Sequence, residues 1–340
     1  VGLDGDIKYT SNFRKGDEDF FLTWEDNRAT KKIYATRIIN SAIQYNNGKQ
    51  ISFSDNSSDD NTSPNVLKNE SNFYVGTYDA TSSPKFMKIN KLNEQLENIW
   101  DSTGIAISPE ADMRDGILVN IENGVGCFWS ESRLFDYNIY YQRLDEDGNT
   151  VFTSGGIELI NANSDDIILA VIQTSDDHLM IFWFNEQWSP SGSLKIIKYL
   201  KIDHDGSPAI GWNPAGVNLS DPYSASSNLQ IKMINEESGI ICYWNQIGNF
   251  SDIYSQVVDW DGNQLWSAGG IVISDAAEDQ TNFTFDLNED HSKSMIVWED
   301  FRNGQNFEIF GQVLDLVDGN LFGDAIQFTS VVNDSLNNYT

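Results

Sequence analysis

Short apolar segments that end in an aromatic residue recur along the chain. Five of them end in tryptophan, and a sixth ends in tyrosine midway between the first two tryptophans: Trp24, Tyr78, Trp129, Trp183, Trp244 and Trp298. The last four tryptophans are separated by 54, 61 and 54 residues. Short segments that are rich in β-branched and aromatic residues, with turn residues between them, are typical of β-strands. The pattern therefore predicts six copies of an all-β repeat.

A second landmark follows the first in each of four copies. A large aromatic residue is followed four positions later by glycine and five positions later by a β-branched residue, starting at Trp100, Phe152, Trp212 and Trp266. An Ile-aromatic-x-Gln stretch, such as Ile139–Gln142, lies between the two landmarks. The fixed order of the three features predicts the same chain path in every copy.

Each copy is predicted to contain four strands. In the sixth copy they are Asn282–Leu287, Ser294–Glu299, Phe307–Leu314 and Ala325–Thr329. Several connections between the third and fourth strands contain Asp-Gly, which suits a tight hairpin because glycine adopts positive φ without strain. Four-stranded repeats of about 50 residues predict a β-propeller. We expect one propeller domain over residues 1–340 with six blades; seven blades is the alternative, because residues 338–340 repeat the signature of a first strand.

Charge and composition exclude several classes of partner. The 340 residues carry 21 Lys and Arg against 51 Asp and Glu, a formal net charge of −30. Such acidity argues against binding to nucleic acid or to an anionic membrane surface. The longest apolar runs, Ile167–Ile172 and Leu179–Phe184, are far too short to cross a membrane. We therefore expect neither a nucleic-acid partner nor membrane insertion.

The two cysteines occupy the same position in different copies. Cys127 and Cys242 each stand two residues before the tryptophan, in copies three and five. Two blades of separation would place their Cα atoms beyond the ~7 Å that a disulfide tolerates. We predict two free, buried thiols.

Three copies share a Trp-x-acid-x-Arg motif at the end of the second strand: Trp24 to Arg28, Trp129 to Arg133, and Trp298 to Arg302. Together with the Ile-Tyr-x-Gln and Asp-x-x-Gly-Asn-x-x-Trp elements, this motif resembles the propeller-forming repeats of large secreted surface proteins of Bacteroidetes-type bacteria, which commonly end in a type IX secretion sorting domain. The resemblance implies export, a place at the cell surface within a longer parent chain, and adhesion-like binding to a protein or glycan. The chain begins with Val, as expected of a processed piece. Copies two, four and five lack the acid–Arg pair.

The motif has two interpretations. The acid and the arginine can tie neighbouring strands together, in which case a partly exposed pair stabilises the fold by about 0–1 kcal/mol. Alternatively, Arg28, Arg133 and Arg302 form a ring that binds a polar ligand on the face where the second-to-third connections emerge. A further candidate is Trp188 with Glu186, because this tryptophan lies in an insertion outside the repeat and would stack on a sugar if it is exposed. The tryptophans of the repeat itself are expected in the core.

Sequence motifs for catalysis or metal binding are missing. The histidines His178, His204 and His291 stand alone in predicted turns, and the sequence has no nucleophile elbow, zinc-protease or phosphate-loop motif. The acidic segments 55–60, 108–115 and 274–279 offer oxygen ligands to Ca²⁺, but none has the order of an EF-hand. We expect no catalytic residue, no metal and no cofactor.

These observations favour an extracellular, non-enzymatic binding or spacer module of a larger cell-surface protein, with a protein or glycan as ligand. The alternative is a carbohydrate-active propeller enzyme that uses a pair of carboxylates. The alternative stays open because two acids from separate loops can meet in space without any characteristic spacing in the sequence.

Overall fold

A computed structural model of the chain shows an all-β protein, and the described ranges contain no α-helix. The structure describes residues 7–15, 19–26, 32–51, 61–69, 72–79, 84–108, 112–133, 135–189, 192–222 and 225–329. Within these ranges no helix of the length and apolarity needed to span a membrane occurs.

The strands form six antiparallel sheets in which strand order follows chain order, and we number the copies by their sheets. Sheets one to three contain β1 (Ile7–Lys15), β2 (Asp19–Asp26), β3 (Lys32–Ile39), β4 (Ala42–Ile43), β5 (Lys49–Gln50); β6 (Asn61–Asn69), β7 (Asn72–Asp79), β8 (Phe86–Leu92), β9 (Ile105–Ile107); and β10 (Met113–Ile121), β11 (Gly124–Glu131), β12 (Asn138–Asp145), β13 (Ile157–Ile160). Sheets four to six contain β14 (Asp165–Gln173), β15 (Leu179–Ser189), β16 (Gly192–Ile202), β17 (Val217–Asn218); β18 (Ala225–Asn235), β19 (Gly239–Ile247), β20 (Ser251–Val258), β21 (Ile271–Ser274); and β22 (Gln280–Leu287), β23 (Lys293–Asp300), β24 (Glu308–Asp315), β25 (Ile326–Gln327).

Five sheets have the four strands that the repeat predicts, and the first has five because β4 and β5 both pair with β3. The predicted strands of copy six begin and end within two residues of β22 to β25. The alternative of a seventh blade depends on residues 338–340, which lie outside the described residues.

The chain forms two compact units, one from Val1–Gln173 with Ile202–Ala209 and the other from Thr174–Lys201 with Ile210–Thr340. In the first unit, apolar clusters join sheet one to sheet two and sheet two to sheet three. In the second unit, a larger cluster joins sheets five and six. The single domain over residues 1–340 stays a prediction.

The repeated tryptophans fill the cores, as expected. Trp129, Trp244 and Trp298 are at most 1% exposed, and each stacks on an aromatic residue of the third strand at 5.9 to 6.4 Å between ring centroids. Burying an aromatic side chain of this size contributes about 1.5–3 kcal/mol.

The glycine of the second landmark lies against the tryptophan of the first. A Cβ atom at Gly216 would stand 2.3 Å from the Trp183 ring, and one at Gly270 would stand 2.5 Å from the Trp244 ring. Both glycines also have positive φ, +71° and +87°. Trp and Gly therefore recur together because the indole leaves no room for a side chain at the start of the fourth strand.

Cys127 and Cys242 are free and completely buried, which confirms the prediction of two buried thiols. Burial raises the pKa of both thiols well above the usual range for cysteine. Such thiols are unreactive as nucleophiles at neutral pH, so neither is a candidate for catalysis.

Candidate functional site

The acid–Arg pair of copy three is built into the protein interior. Glu131, the last residue of β11, accepts hydrogen bonds from Trp129 Nε1 at 2.7 Å, from Arg133 Nε at 2.6 Å and from the Ser108 hydroxyl. The Glu131 side chain is 0% exposed and that of Arg133 is 27% exposed. The acid thus connects the core tryptophan to the arginine.

The guanidinium of Arg133 has further partners in the same copy. Its Nη2 donates to the Gly155 carbonyl oxygen at 2.7 Å and contacts Ser108 Oγ at 3.2 Å. Its central carbon lies 4.0 Å from the centre of the Tyr140 ring. This geometry supports the structural interpretation of the motif, because the arginine ties the loop after β11 to the strands beside it.

Copy six repeats the arrangement. Trp298 Nε1 donates to Asp300 at 2.8 Å, Arg302 donates to both oxygens of Asp300, and its guanidinium lies 3.9 Å from the centre of the Phe310 ring. Burial acts to raise the pKa of Asp300, but the hydrogen bonds from Arg302 and Trp298 outweigh it, so this pKa lies below its ordinary value.

In copy one, Trp24 Nε1 lies 3.3 Å from Asp26, while Arg28 lies outside the described residues. In copy four, an amide pair stands in for the ion pair: Gln187 Nε2 donates to Asn185 Oδ1 at 3.1 Å. Copy four thus fills the two positions of the acid and the arginine with an internal pair, although the charges are missing.

The candidate pair Trp188 and Glu186 lies on a strand rather than in a loop, because β15 and β16 extend into the predicted insertion. Trp188 is 69% exposed. Glu186 forms an ion pair with Lys195 of the next strand at 3.3 Å. The hairpin therefore presents an indole to solvent, as a stacking surface requires.

Copy five departs from all of these arrangements. Gln246 and Gly248 stand where copy three has Glu131 and Arg133. Trp244 is 0% exposed, yet its Nε1 has no hydrogen-bond partner, and Gln246 Oε1 is likewise buried without one. An unpaired buried polar group typically costs about 1–3 kcal/mol, a cost that copies three and six avoid at this position because an acid accepts from the tryptophan Nε1.

The charges of three carboxylates act on the same part of copy five. Asp221, Asp252 and Asp275 act electrostatically on Tyr254, on which Trp244 stacks at 6.0 Å between ring centroids. We call the surroundings of the Tyr254 ring, with Trp244 and these three carboxylates, the copy-five site. Within the described part of the chain, no hydrogen bond or ion pair engages any of the three carboxylates.

Asp252 is the carboxyl group of the copy-five site with a raised pKa. Its burial is the main cause, and the negative charges of Asp275 and Asp279 add to it. Burial also raises the pKa of Tyr254, and the negative charges of Asp252, Asp275 and Asp221 add to it. Each cause disfavours negative charge, so Asp252 holds its proton to a higher pH than an ordinary aspartic acid.

Copy three shows what these positions hold elsewhere in the protein. By the pairing of strands three and four, Asn138 corresponds to Asp252 and Asn161 to Asp275. Both asparagines donate to Glu158, at 2.8 and 2.9 Å, and Tyr140 donates to the same carboxylate. Two amides that satisfy one acid in copy three have thus become two acids without donors in copy five.

The sequence missed Asp252 and Asp275 because single aspartates near turns are common in so acidic a chain. The absence of the acid–Arg pair from copy five was visible, but its significance depends on the strand register. The acidic segment 55–60 lies outside the described residues, and the described part of the chain contains no group of three His, Cys, Asp or Glu side chains arranged to hold a metal.

No known protein-family profile and no curated protein sequence matches the chain. Solved structures do match. The α-L-arabinofuranosidase Arb93A of Fusarium graminearum, in complex with an iminosugar inhibitor, is 10% identical, with 92% of this chain and 94% of that chain covered and a TM-score of 0.57. The Penicillium chrysogenum α-L-arabinanase with arabinobiose is 11% identical, with 93% and 96% covered and a TM-score of 0.54. A Dyadobacter fermentans protein of unknown function is 8% identical, with 92% and 95% covered and a TM-score of 0.53.

These likenesses confirm the β-propeller fold. They also contradict the expectation of a non-enzymatic binding or spacer module, because the matching structures include an α-L-arabinofuranosidase and an α-L-arabinanase, which favours the carbohydrate-active alternative. The sequence misled because a carboxylate pair has no spacing signature, so the lack of catalytic motifs carried no information about this class of enzyme.

Proposed function

We propose that the chain is a carbohydrate-active β-propeller of the glycosidase type, with the copy-five site as its active site. The observation that carries the proposal is the raised pKa of Asp252 beside a second carboxylate, Asp275. The fold shared with an arabinofuranosidase and an arabinanase supports it.

Most glycoside hydrolases use two carboxyl groups: one delivers a proton to the leaving oxygen, and the other is ionised and acts as nucleophile or base. Asp252 suits the first role, because burial and the charges of Asp275 and Asp279 keep it protonated to higher pH. Asp275 takes the second role. The ring of Tyr254, on which both carboxylates act, would offer an apolar surface to the sugar.

Other contacts complete the proposal. Trp188, exposed at the end of the β15–β16 hairpin, is proposed as a stacking surface for a glycan, with Glu186 beside it. We further propose that the protein acts outside a bacterial cell as part of a longer exported chain. The resemblance of its repeats to those of type IX secretion substrates supports this location.

The test is hydrolysis of arabinobiose, arabinan and a panel of aryl glycosides. Asp252→Asn and Asp275→Asn should each lower kcat by about 10²-fold or more, as expected for loss of an acid or base. Glu158→Gln in copy three is the matched control and should leave the rate unchanged. The anomer first released, read by NMR, reports the carboxylate separation: retention indicates about 5–5.5 Å and inversion about 6.5–9.5 Å. No hydrolysis across the panel, or full activity of Asp252→Asn, would refute the proposal.

A further inference from the structure

Copies three and six provide an internal template for binding a guanidinium. In both, an arginine places its planar cation over the aromatic ring of the third strand, at 4.0 Å from the Tyr140 centroid and 3.9 Å from the Phe310 centroid. In both, Nε donates to a buried carboxylate. The guanidinium therefore contacts the face of an aromatic ring and a buried carboxylate at the same time.

Copy five keeps most of the surroundings of that cation. By strand register and by distance from the second landmark, Tyr254 corresponds to Tyr140, Gly269 to Gly155 and Ser220 to Ser108. The arginine itself is missing, since Gly248 stands in its place. Among the residues that the structure describes, no Lys or Arg lies over the Tyr254 ring.

Two buried polar groups mark the same place. Trp244 stacks on Tyr254 at 6.0 Å and 18°, almost as Trp129 stacks on Tyr140 at 5.9 Å and 20°. Its Nε1 therefore points to the position where copy three has Glu131, but here it has no partner. Gln246 Oε1 is unpartnered as well.

The charges around the ring are complementary to a cation. The carboxylates of Asp221, Asp252 and Asp275 act electrostatically on Tyr254, and an atom of Asp221 lies only 2.8 Å from the position that a Cβ would take on Gly269. Each of the six Lys and Arg side chains of the second unit has a partner outside these carboxylates: Lys195, Lys198, Lys201, Lys232, Lys293 and Arg302.

We propose that the copy-five site binds a guanidinium group in trans, namely the arginine side chain of another polypeptide. A guanidinium fits better than an ammonium, because it is planar enough to lie on the tyrosine and presents several donors to carboxylates and to the Gly269 carbonyl. A polypeptide source is favoured over a free small cation, because the template in copies three and six is an arginine carried on a chain.

Binding of arginine does not depend on the proposed hydrolysis. If both occur, they compete, because a guanidinium beside Asp252 favours its ionised form and removes the proton that the leaving oxygen needs. An arginine-bearing protein would then act as an inhibitor of the glycosidase. Only this inhibition rests on the proposed function.

The direct test is titration of the whole chain with N-acetyl-arginine amide at pH 7 and low salt, followed by NMR or calorimetry. We expect saturable binding that is at least about tenfold weaker for the lysine analogue and undetectable for the neutral citrulline analogue. Asp252→Asn with Asp275→Asn, which introduces the residues of copy three, should abolish binding. Asp286→Asn, an exposed acid paired with Lys232 in sheet six, is the control and should not change it. Equal binding of arginine and citrulline, or no saturation by arginine, would overturn the proposal.

A second variant fills the site from within. Gln246→Glu with Gly248→Arg rebuilds Trp-x-acid-x-Arg in copy five, and a Cβ at Gly248 meets no atom within 4 Å. We expect this variant to melt at a higher temperature and to lose binding of N-acetyl-arginine amide. A folded variant that still binds the ligand with unchanged affinity would contradict the proposed site. Hydrolysis without arginine binding would refute this inference alone, whereas arginine binding without hydrolysis would refute the proposed function alone.

Discussion

Replacing Arg133 by alanine tests whether the acid–Arg pair behaves as a buried or as a surface interaction. The change removes the cation and leaves Glu131, whose side chain is 0% exposed, with the donors from Trp129 and Ser108. A carboxylate that is buried without its counter-ion is strongly disfavoured. The Arg133→Ala protein should therefore lose much more stability than a surface pair would account for.

The magnitude follows from the geometry. Removing one partner of a buried ion pair costs about 3–5 kcal/mol, whereas an exposed pair contributes about 0–1 kcal/mol. Arg133 is 27% exposed and Glu131 retains two neutral donors, so we expect a loss of about 2–3 kcal/mol. At about 2 °C per kcal/mol for a chain of this size, the melting temperature should fall by about 4–6 °C.

Urea denaturation and thermal melting followed by circular dichroism measure this loss. The double variant Glu131→Gln with Arg133→Ala removes the carboxylate charge that Arg133→Ala leaves without a counter-ion. Its free energy of unfolding should be higher than that of Arg133→Ala alone by about 1 kcal/mol or more. Arg302→Ala should reproduce the loss in copy six. A loss below about 1 kcal/mol for Arg133→Ala would show that water screens the pair and would refute the reasoning.

Three further predictions concern other parts of the fold. Asp252→Asn should raise the melting temperature at pH 7, because the raised pKa means that ionised Asp252 destabilises the folded state. The gain in melting temperature should vanish below about pH 4, where the wild-type carboxyl group is protonated in both the folded and the unfolded state. An unchanged gain at that pH would contradict this prediction. Cys127 and Cys242 should take up two thiol labels per chain only after denaturation, and rapid labelling of the native protein would contradict their burial. Gly270→Ala should lower the free energy of unfolding by more than the ~1–2 kcal/mol that a left-handed backbone costs, because the new Cβ would also stand 2.5 Å from the Trp244 indole. Gly248→Ala is the control and should be tolerated. Equal losses for the two variants in urea denaturation would contradict the contact with the indole.

The fold was predictable because its repeated residues touch one another. The indole of Trp183 occupies the space that a side chain on Gly216 would need, so the two residues recur at a fixed distance in the sequence and reveal the path of the chain. The buried thiols followed from the same register. The burial of the acid–Arg pair could not be predicted in this way. The sequence indicates that Glu131 and Arg133 are near each other, but not that the carboxylate is inaccessible to water.

The candidate site was not predictable from residue types, because it is defined by a difference between copies. Asp252 and Asp275 become distinctive only when strand pairing aligns them with Asn138 and Asn161. Neither strand pairing nor burial can be read from an isolated aspartate in a chain with 51 acidic residues. A repeat protein thus allows a comparison that a non-repeating chain does not, since one copy serves as the reference for another.

That comparison carries an energetic argument about copy five. Copies three and six use an ion pair that stabilises the end of the second strand, whereas copy five lacks the pair, leaves Trp244 Nε1 unpartnered and places Asp252 beside like charges. Each of these features destabilises the folded state, and the sequence changes that would remove them, at Gln246 and Gly248, are small. Regions that retain such unfavourable groups are characteristically functional, because stability and activity place opposite demands on the same residues. The unfavourable energy of copy five, rather than any motif, is therefore our reason for proposing it as the part of this propeller that meets a ligand.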